Sequence, residues 1–262
     1  MFYKKKLKFL KNKKISVAVS SGLDSMVMLD LLLKSCCPIG VIHCNFNLRG
    51  DDSDKDEFFL QEFCLKNNLN FKYKNFNTSI RSKTKKYLKF SIQMIARKLR
   101  YDWFKFLLNK NNSDCDYIAL GHHLDDSIET FFINIIRGTG IKGLIGINNF
   151  KKNIIRPLFL FSKKEIRSYA KENNIHWRED ISNNDFKYLR NKTNYIRFFL
   201  KPILNYKFYN GFKKSIKYLS DEYEYICSSH HMDYISNYIR IDKKKCPFLV
   251  KIDLKKLIRL TI

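Results

Sequence analysis

Proline and glycine are scarce in this chain, four and nine in 262 residues, so no Pro/Gly-rich linker divides it, and no internal repeat is visible. Cysteine is present seven times, an odd number, with Cys36 and Cys37 adjacent but no C-x-x-C pair anywhere. That pattern argues against a zinc ribbon or a disulfide scaffold and for reduced thiols in a cytosolic protein. Long apolar runs are missing too. "MVMLDLLL" and "FFINII" are interrupted or far too short to span a bilayer, so no membrane partner is expected. The stretch "MFYKKKLKFLKNKK" is basic throughout and lacks a small-residue cleavage site; it does not read as a signal peptide, and the expected location is the cytoplasm. No G-x-x-x-x-G-K-[ST] occurs, which excludes a Walker A loop.

Acidic residues are outnumbered two to one, 25 against 50 Lys and Arg, leaving a net charge of +25. Clustered cations are rewarded by a polyanion through counterion release, so RNA or DNA is the partner class this balance suggests. An AT-rich coding bias towards Lys, Asn, Ile, Phe and Tyr would produce the same excess without selection for binding. A hydrophobic content of 45% indicates a globular chain, long enough for a full core and a small second domain.

Apolar periodicity alternates between two types. Strand-like runs fall at 15–20 ("ISVAVS"), 39–44, 70–76 and 116–121, with a shorter one at 153–157. Helical patterns occupy about 24–35, 53–67, 91–109, 125–137 and 162–174. In the third helix Ile92, Ile95, Ala96, Leu99, Trp103 and Phe106 share one face. Ser162 and Glu165 form a capping box at the start of the fifth. Strand–helix alternation of this kind predicts an α/β fold, a doubly wound parallel sheet covered on both faces. From about Lys201 the pattern becomes helical, basic and tyrosine-rich, so the expected division is 1–200 and 201–262.

Ligands of such sheets bind outside the carboxyl ends of the strands. "SSGLDS", Ser20 to Ser25, is the loop that leaves the first strand and enters the first helix. A helix N-terminus offers unpaired N–H groups and partial positive charge, the natural seat of a phosphate. Gly22 permits close backbone approach, and Ser20, Ser21 and Ser25 add hydroxyl donors around Leu23. Asp24 suits a phosphate only if a divalent cation stands between them. A serine-capped helix with no ligand is the plainer reading of the same stretch.

The mouth of the fourth strand holds Asp125, Asp126 and Glu129, with Asp125 and Glu129 on one helix face and on the same sheet edge as Asp24. Asp126 as N-cap with Glu129 three residues on would also be an ordinary capping box. His122 and His123 have no cysteine partner and no histidine at i+4, so zinc is not indicated, and these and His43 read as structural. "RGTGIKG" contains G-x-G-x-x-G at Gly138, Gly140 and Gly143, but it follows a helix and is not a dinucleotide fingerprint. Arg137 ahead of it could hold phosphate or RNA, or the segment is simply a helix C-cap and turn. In "ARKLRY", Arg97, Arg100 and Tyr101 could grip a backbone and stack a base, or form a solvated basic face.

"SSGLDS" resembles S-G-G-x-D-S, the pyrophosphate loop of the PP-loop ATP pyrophosphatases, with Ser21 where that superfamily usually has its first glycine. With "HCNFNLRGDDSDKDEFF", "SIQMIARKLRYDWF", "GHHLDDSIETFFINIIRGTGIKGLIGI", "IIRPL" and "WREDISNNDFKYLRN" in this order, residues 15 to about 202 resemble the bacterial tRNA(Ile)-lysidine synthase family. The resemblance implies an adenine nucleotide alpha hydrolase-like fold and a ligase that joins L-lysine to the wobble cytidine of a CAU-anticodon tRNA(Ile), splitting ATP to AMP and pyrophosphate. The modified base then reads AUA in place of AUG. It further implies ATP bound at Ser20–Ser25, Mg²⁺ at Asp24 and Asp125, and catalytic duty for Asp24, Asp125, Asp126, Glu129 and Arg197. Arg97, Arg100, Tyr101, Arg137 and Arg190 become candidate tRNA contacts. "TNY" adds about three residues to the family's R-N…I-R pattern, so which of Arg190 and Arg197 keeps the role near the activated intermediate stays open.

The resemblance also leads one to expect a tRNA-gripping C-terminal region, here reduced or incomplete after Pro202. Oligomeric state stays open, a homodimer among the options. Two other readings compete: a related PP-loop enzyme such as a tRNA thiolase, opposed by the missing C-x-x-C, or a decayed, non-catalytic basic RNA-binding protein, favoured by Ser21 and opposed by the acidic residues.

Overall fold

A computed structural model describes residues 10, 12–35, 37–48, 50–76, 90–109, 115–147, 150–151, 153–179, 196, 200, 202, 204–229, 234–235 and 238–239. Strands β1 (Ile15–Ala18), β2 (Ile39–Asn45), β3 (Asn70–Asn75) and β4 (Tyr117–Ala119) alternate with helices α1 (Leu23–Leu33), α2 (Asp51–Lys66) and α3 (Ile92–Leu107). After β4 come α4 (Leu124–Arg137), the short α5 (Ile141–Ile145), β5 (Phe150–Lys151), β6 (Ile154–Ile155), α6 (Lys163–Glu172) and the long α7 (Tyr206–Ser229). A two-residue hairpin, β7 (Tyr234–Ile235) with β8 (Tyr238–Ile239), follows.

The first six strands form one sheet in the order β3-β2-β1-β4-β6-β5. All neighbours are parallel except the edge pair β5–β6. Strand order reverses at β1, so the crevice between the carboxyl ends of β1 and β4 is a topological switch point, where open α/β sheets bind ligands. The expected doubly wound sheet is present, and β5 and α5 are elements that apolar periodicity did not announce.

Each strand feeds both faces of the sheet. Val17 and Val19 pack with Met26, Leu29, Leu32 of α1, Leu60 of α2 and Ile166 of α6. On the other face Ile42, Ile118 and Leu120 meet Ile95, Leu99 and Trp103 of α3. Alternation of side chains along a strand produces this division. Ile92 and Phe106, expected on the buried stripe of α3, are exposed, and Phe104 and Leu107 are inside instead. The buried stripe of a helix drifts around its axis, and at the C-terminal end of α3 it has moved to Phe104.

A third cluster lies off the sheet: Leu124 and Ile128 of α4 with Ile196, Leu200 and the partly buried Phe208, Tyr209 and Phe212 of α7. The basic C-terminal helix is thus packed against the helix that carries the acidic residues. Among the described residues no helix is long and apolar enough to cross a membrane.

Candidate active site

The Ser20–Ser25 loop leaves β1 at the switch point. Its exposure alternates, with Ser20 exposed, Gly22 and Asp24 half-buried, and Ser21, Leu23 and Ser25 buried. Leu23 anchors the first turn of α1 in the core. Gly22 is the N-cap and supplies no side chain, so the first N–H groups of α1 receive no side-chain cap. Ser25 is turned inward: its Oγ donates to the Gly22 carbonyl at 2.9 Å and accepts from the Ser20 N–H at 3.1 Å. It shapes the loop, leaving the exposed Ser20 as the hydroxyl best placed towards a ligand. Gly121, at the end of β4, lies so near that a Cβ there would stand 3.4 Å from the backbone of Asp24 and Ser25.

Ser21 has φ +62°, a left-handed conformation that costs a non-glycine residue roughly 1–2 kcal/mol. Two contacts hold it there. Its Oγ donates to the Ser20 carbonyl at 2.5 Å, and its own carbonyl accepts the Arg178 N–H at 3.0 Å. Arg178 is itself fixed by Asp56, Nε to Oδ1 at 3.0 Å. The serine side chain therefore points at neighbouring backbone and is 1% exposed.

The acidic residues converge on this loop from α4. His123, not Asp126, is the N-cap of α4; Asp126 is the third helical residue, and its carboxylate accepts the His123 N–H at 2.9 Å. The buried His123 ring stands between three carboxylates, 3.8 Å from Asp24, 3.6 Å from Asp125 and 3.6 Å from Asp126. These separations are too long for hydrogen bonds but place all three within one small volume. Glu129 is buried one turn along the same helix.

Asp125 is committed internally. Oδ1 accepts from the Tyr209 hydroxyl at 2.6 Å, and Oδ2 from the Lys163 backbone N–H at 2.5 Å. Burial and this carboxylate together push the Tyr209 phenol well above its usual range. Lys163 is the first residue of α6, and its Nζ lies 2.6 Å from both oxygens of Asp24. The expected Mg²⁺ pair of Asp24 and Asp125 does not fit this arrangement: all four oxygens already face donors. Among the described residues no group of His, Cys, Asp and Glu has the geometry of a metal site.

A second, basic group lies behind α4 on the α3 side. The Arg97 guanidinium stacks over Tyr101 at 5.1 Å and Arg100 over Phe46 at 5.3 Å. Tyr101 also packs edge-on against Phe104 at 5.7 Å, so its ring is partly spent inside the fold. Arg156, from "IIRPL", is buried beside it. Burial pushes His122 down to about 4; Arg156, Arg97 and Arg100 push the same way, against the opposing pull of Asp126. His122 is therefore a neutral imidazole near pH 7. Its buried Nδ1 has no hydrogen-bond partner among the described residues.

Arg137 is exposed at the far end of α4, roughly 18 Å along the helix from Asp125, and does not join this site. Arg190 and Arg197 lie outside the described residues. Lys163, Tyr209, Arg156 and Arg178 were not singled out by sequence reasoning, and His123, read there as structural, stands among the three carboxylates. "IIRPL" and "WRED" are motif pieces that contained two of them; nothing local marked Tyr209.

A doubly wound sheet with an uncapped helix start and serine loop at its switch point is the architecture of a nucleotide-binding α/β domain. The model of the PP-loop domain family matches residues 2–204, and the chain belongs to that family. It is 40% identical over 212 residues to a tRNA(Ile)-lysidine synthase of Chlorobaculum tepidum, covering 79% of this chain and 61% of that protein. With the tRNA(Ile)-lysidine synthase of Bacteroides thetaiotaomicron it shares 39% identity over 196 residues, 75% of this chain and 44% of the relative. The chain thus spans less than two thirds of the length of these relatives. A U34-tRNA thiolase from Methanococcus maripaludis superposes with a TM-score of 0.61 at 19% identity, covering 82% of this chain and 78% of that one, a likeness of fold alone.

Proposed function

We propose that this chain ligates L-lysine to the wobble cytidine of a CAU-anticodon tRNA(Ile) at the expense of ATP. The observation that carries the reading is the convergence of the Ser20–Ser25 loop with the carboxylates of Asp24, Asp125 and Asp126 around His123, in a chain 40% identical to a lysidine synthase.

ATP lies with its phosphates over the start of α1. The cytosine 2-oxo oxygen attacks the α-phosphate, and pyrophosphate leaves towards the loop N–H groups and the Ser20 hydroxyl. Preorganised donors of this kind stabilise the charge that develops on the leaving group. The ε-amine of lysine then attacks the activated ring carbon and expels AMP. Before that step its ammonium must be held and deprotonated. Asp126 and Glu129 are the candidate carboxylates for this, because both oxygens of Asp125 are engaged by Tyr209 and Lys163. The exposed Arg97 and half-buried Arg100 are the described cations best placed for tRNA, and α7 with the region beyond residue 200 is assigned to holding it.

A thiolation chemistry is opposed by the cysteines. Among the described residues Cys37, Cys44, Cys64 and Cys115 form no disulfide, and burial pushes Cys44 up to about 12 and Cys64 up to about 11, leaving these two inert. The test is pyrophosphate exchange with and without CAU-anticodon tRNA, followed by transfer of labelled lysine. Exchange that depends on this tRNA, with lysine incorporated at the wobble base, is the expected result; tRNA binding without exchange would leave only an RNA-binding protein.

A further inference from the structure

Asp24 poses a charge problem. It is in the first turn of α1, at the mouth of the loop assigned to pyrophosphate, where a bare carboxylate repels the ligand. A resident divalent cation would solve this, but the geometry of Asp24 and Asp125 does not fit one. The protein supplies a cation of its own. Lys163 Nζ is 2.6 Å from Asp24 Oδ1 and 2.6 Å from Oδ2, and the two side chains are 42% and 28% exposed.

The placement of Lys163 is specific. Ser162 caps α6 through a reciprocal box with Glu165, which fixes Lys163 as the first helical residue. Its main-chain N–H is tied to Asp125. The side chain, left to itself, would extend into solvent; Asp24 draws it across to the start of α1. An ammonium has three N–H donors, and two oxygens of one carboxylate engage at most two of them. At least one donor therefore remains, on a side chain 42% exposed that meets Asp24 in the uncapped first turn of α1. The uncapped start of α1 and one ammonium thus share this corner, an arrangement suited to several phosphate oxygens at once.

We infer that Lys163 is a phosphate-binding residue of this site, its ammonium aimed by Asp24 at the pyrophosphate end of ATP, so that Asp24 acts as a positioning residue for a lysine and not as a ligand of Mg²⁺. The inference rests on the reading of Ser20–Ser25 as a pyrophosphate loop.

The probe is inorganic pyrophosphate, titrated calorimetrically into the full chain in EDTA and again in Mg²⁺. Wild type should bind in both buffers. Lys163→Met should weaken binding at least tenfold in EDTA, with the loss persisting in Mg²⁺, and Lys163→Arg should recover most of it. In the Asp24→Asn, Lys163→Met double variant the loss should be no greater than in Lys163→Met alone, because Asp24 acts through the ammonium. Melting temperatures show that the variants are folded; if Lys163→Met is not, Lys163→Gln carries the comparison. Unchanged pyrophosphate affinity in a folded Lys163 variant overturns the inference, as does wild-type binding that disappears in EDTA. Wild type that binds pyrophosphate but transfers no lysine to CAU-anticodon tRNA would instead sink the proposed ligation and leave Lys163 in place.

Discussion

The Tyr209 hydroxyl donates to Asp125 Oδ1 at 2.6 Å, joining α7 to the first turn of α4. Asp125 is 7% exposed, and its other oxygen accepts the Lys163 N–H, so the phenol is one of two donors to a buried carboxylate. Hydrogen bonds to buried charged groups contribute about 1.5–3 kcal/mol. Tyr209→Phe is expected to destabilise the chain by about that amount in urea unfolding. It should slow lysine transfer by loosening α4, with the affinity for ATP nearly unchanged. A variant as stable as wild type would show that α7 does not brace the acidic residues.

Ser21→Gly is expected to stabilise. Glycine adopts φ +62° without the side-chain clash, a gain of up to about 1 kcal/mol after the lost Oγ contact to the Ser20 carbonyl. Pyrophosphate exchange should stay level or rise, since the serine side chain is buried against backbone. The unfolding midpoint and the exchange rate check this. A tenfold loss of ATP affinity would mean that the hydroxyl turns to the phosphate when ATP binds.

Stability should fall in mild acid because of His122. Its native pKa, about 4, lies below the unfolded value near 6.5, so the unfolded chain binds more protons between these limits. The contribution is fully present above about pH 6.5 and is lost as the pH falls towards 4. Urea unfolding of wild type and His122→Asn at pH 7.5, 6, 5 and 4 tests the sign. The wild-type curve should drop more steeply across this window. Parallel curves would place the histidine in a wetter environment than its burial indicates.

Much of this architecture is legible in residue order. Alternating strand and helix periods identify the sheet, and the "SSGLDS" turn after β1 locates the loop, because local periodicity and turn chemistry decide both. The capping box at Ser162 is equally local. The pairing of Asp24 with Lys163 is not, since 139 residues separate them and only the neighbouring positions of α1 and α6 bring them together. Asp125 and Asp126 look equivalent in sequence. Their roles diverge because one side of α4 meets Tyr209 and the α6 start, while the other turns back on its own N-cap. Ser21 departs from the glycine expected in the loop, yet the left-handed backbone is retained because Arg178 clamps its carbonyl, a contact that no spacing rule reveals.

That divergence yields the last prediction. Asp126 keeps one carboxylate oxygen clear of the N-cap contact and is 26% exposed in its side chain, whereas Asp125 has neither oxygen to offer. Neutralising Asp126 or Glu129 should therefore leave tRNA affinity and its steep salt dependence nearly unchanged, because phosphate contacts come from Lys and Arg elsewhere. At least one of Asp126→Asn and Glu129→Gln should still adenylate the tRNA but fail to transfer lysine, since the ammonium is no longer held and deprotonated beside the activated base. Asp125→Asn should behave differently. It replaces an acceptor of two hydrogen bonds in a buried position, so the first loss is stability, by about 2–3 kcal/mol, with both half-reactions declining together. Label from α-labelled ATP and from lysine, followed in parallel into tRNA, separates the cases. AMP-linked tRNA accumulating in an Asp126 or Glu129 variant, and not in the Asp125 variant, is the expected pattern. Lysine transfer at the wild-type rate in both the Asp126 and Glu129 variants would reduce Asp126 to its part in the helix cap and remove the acidic residues of α4 from the lysine step.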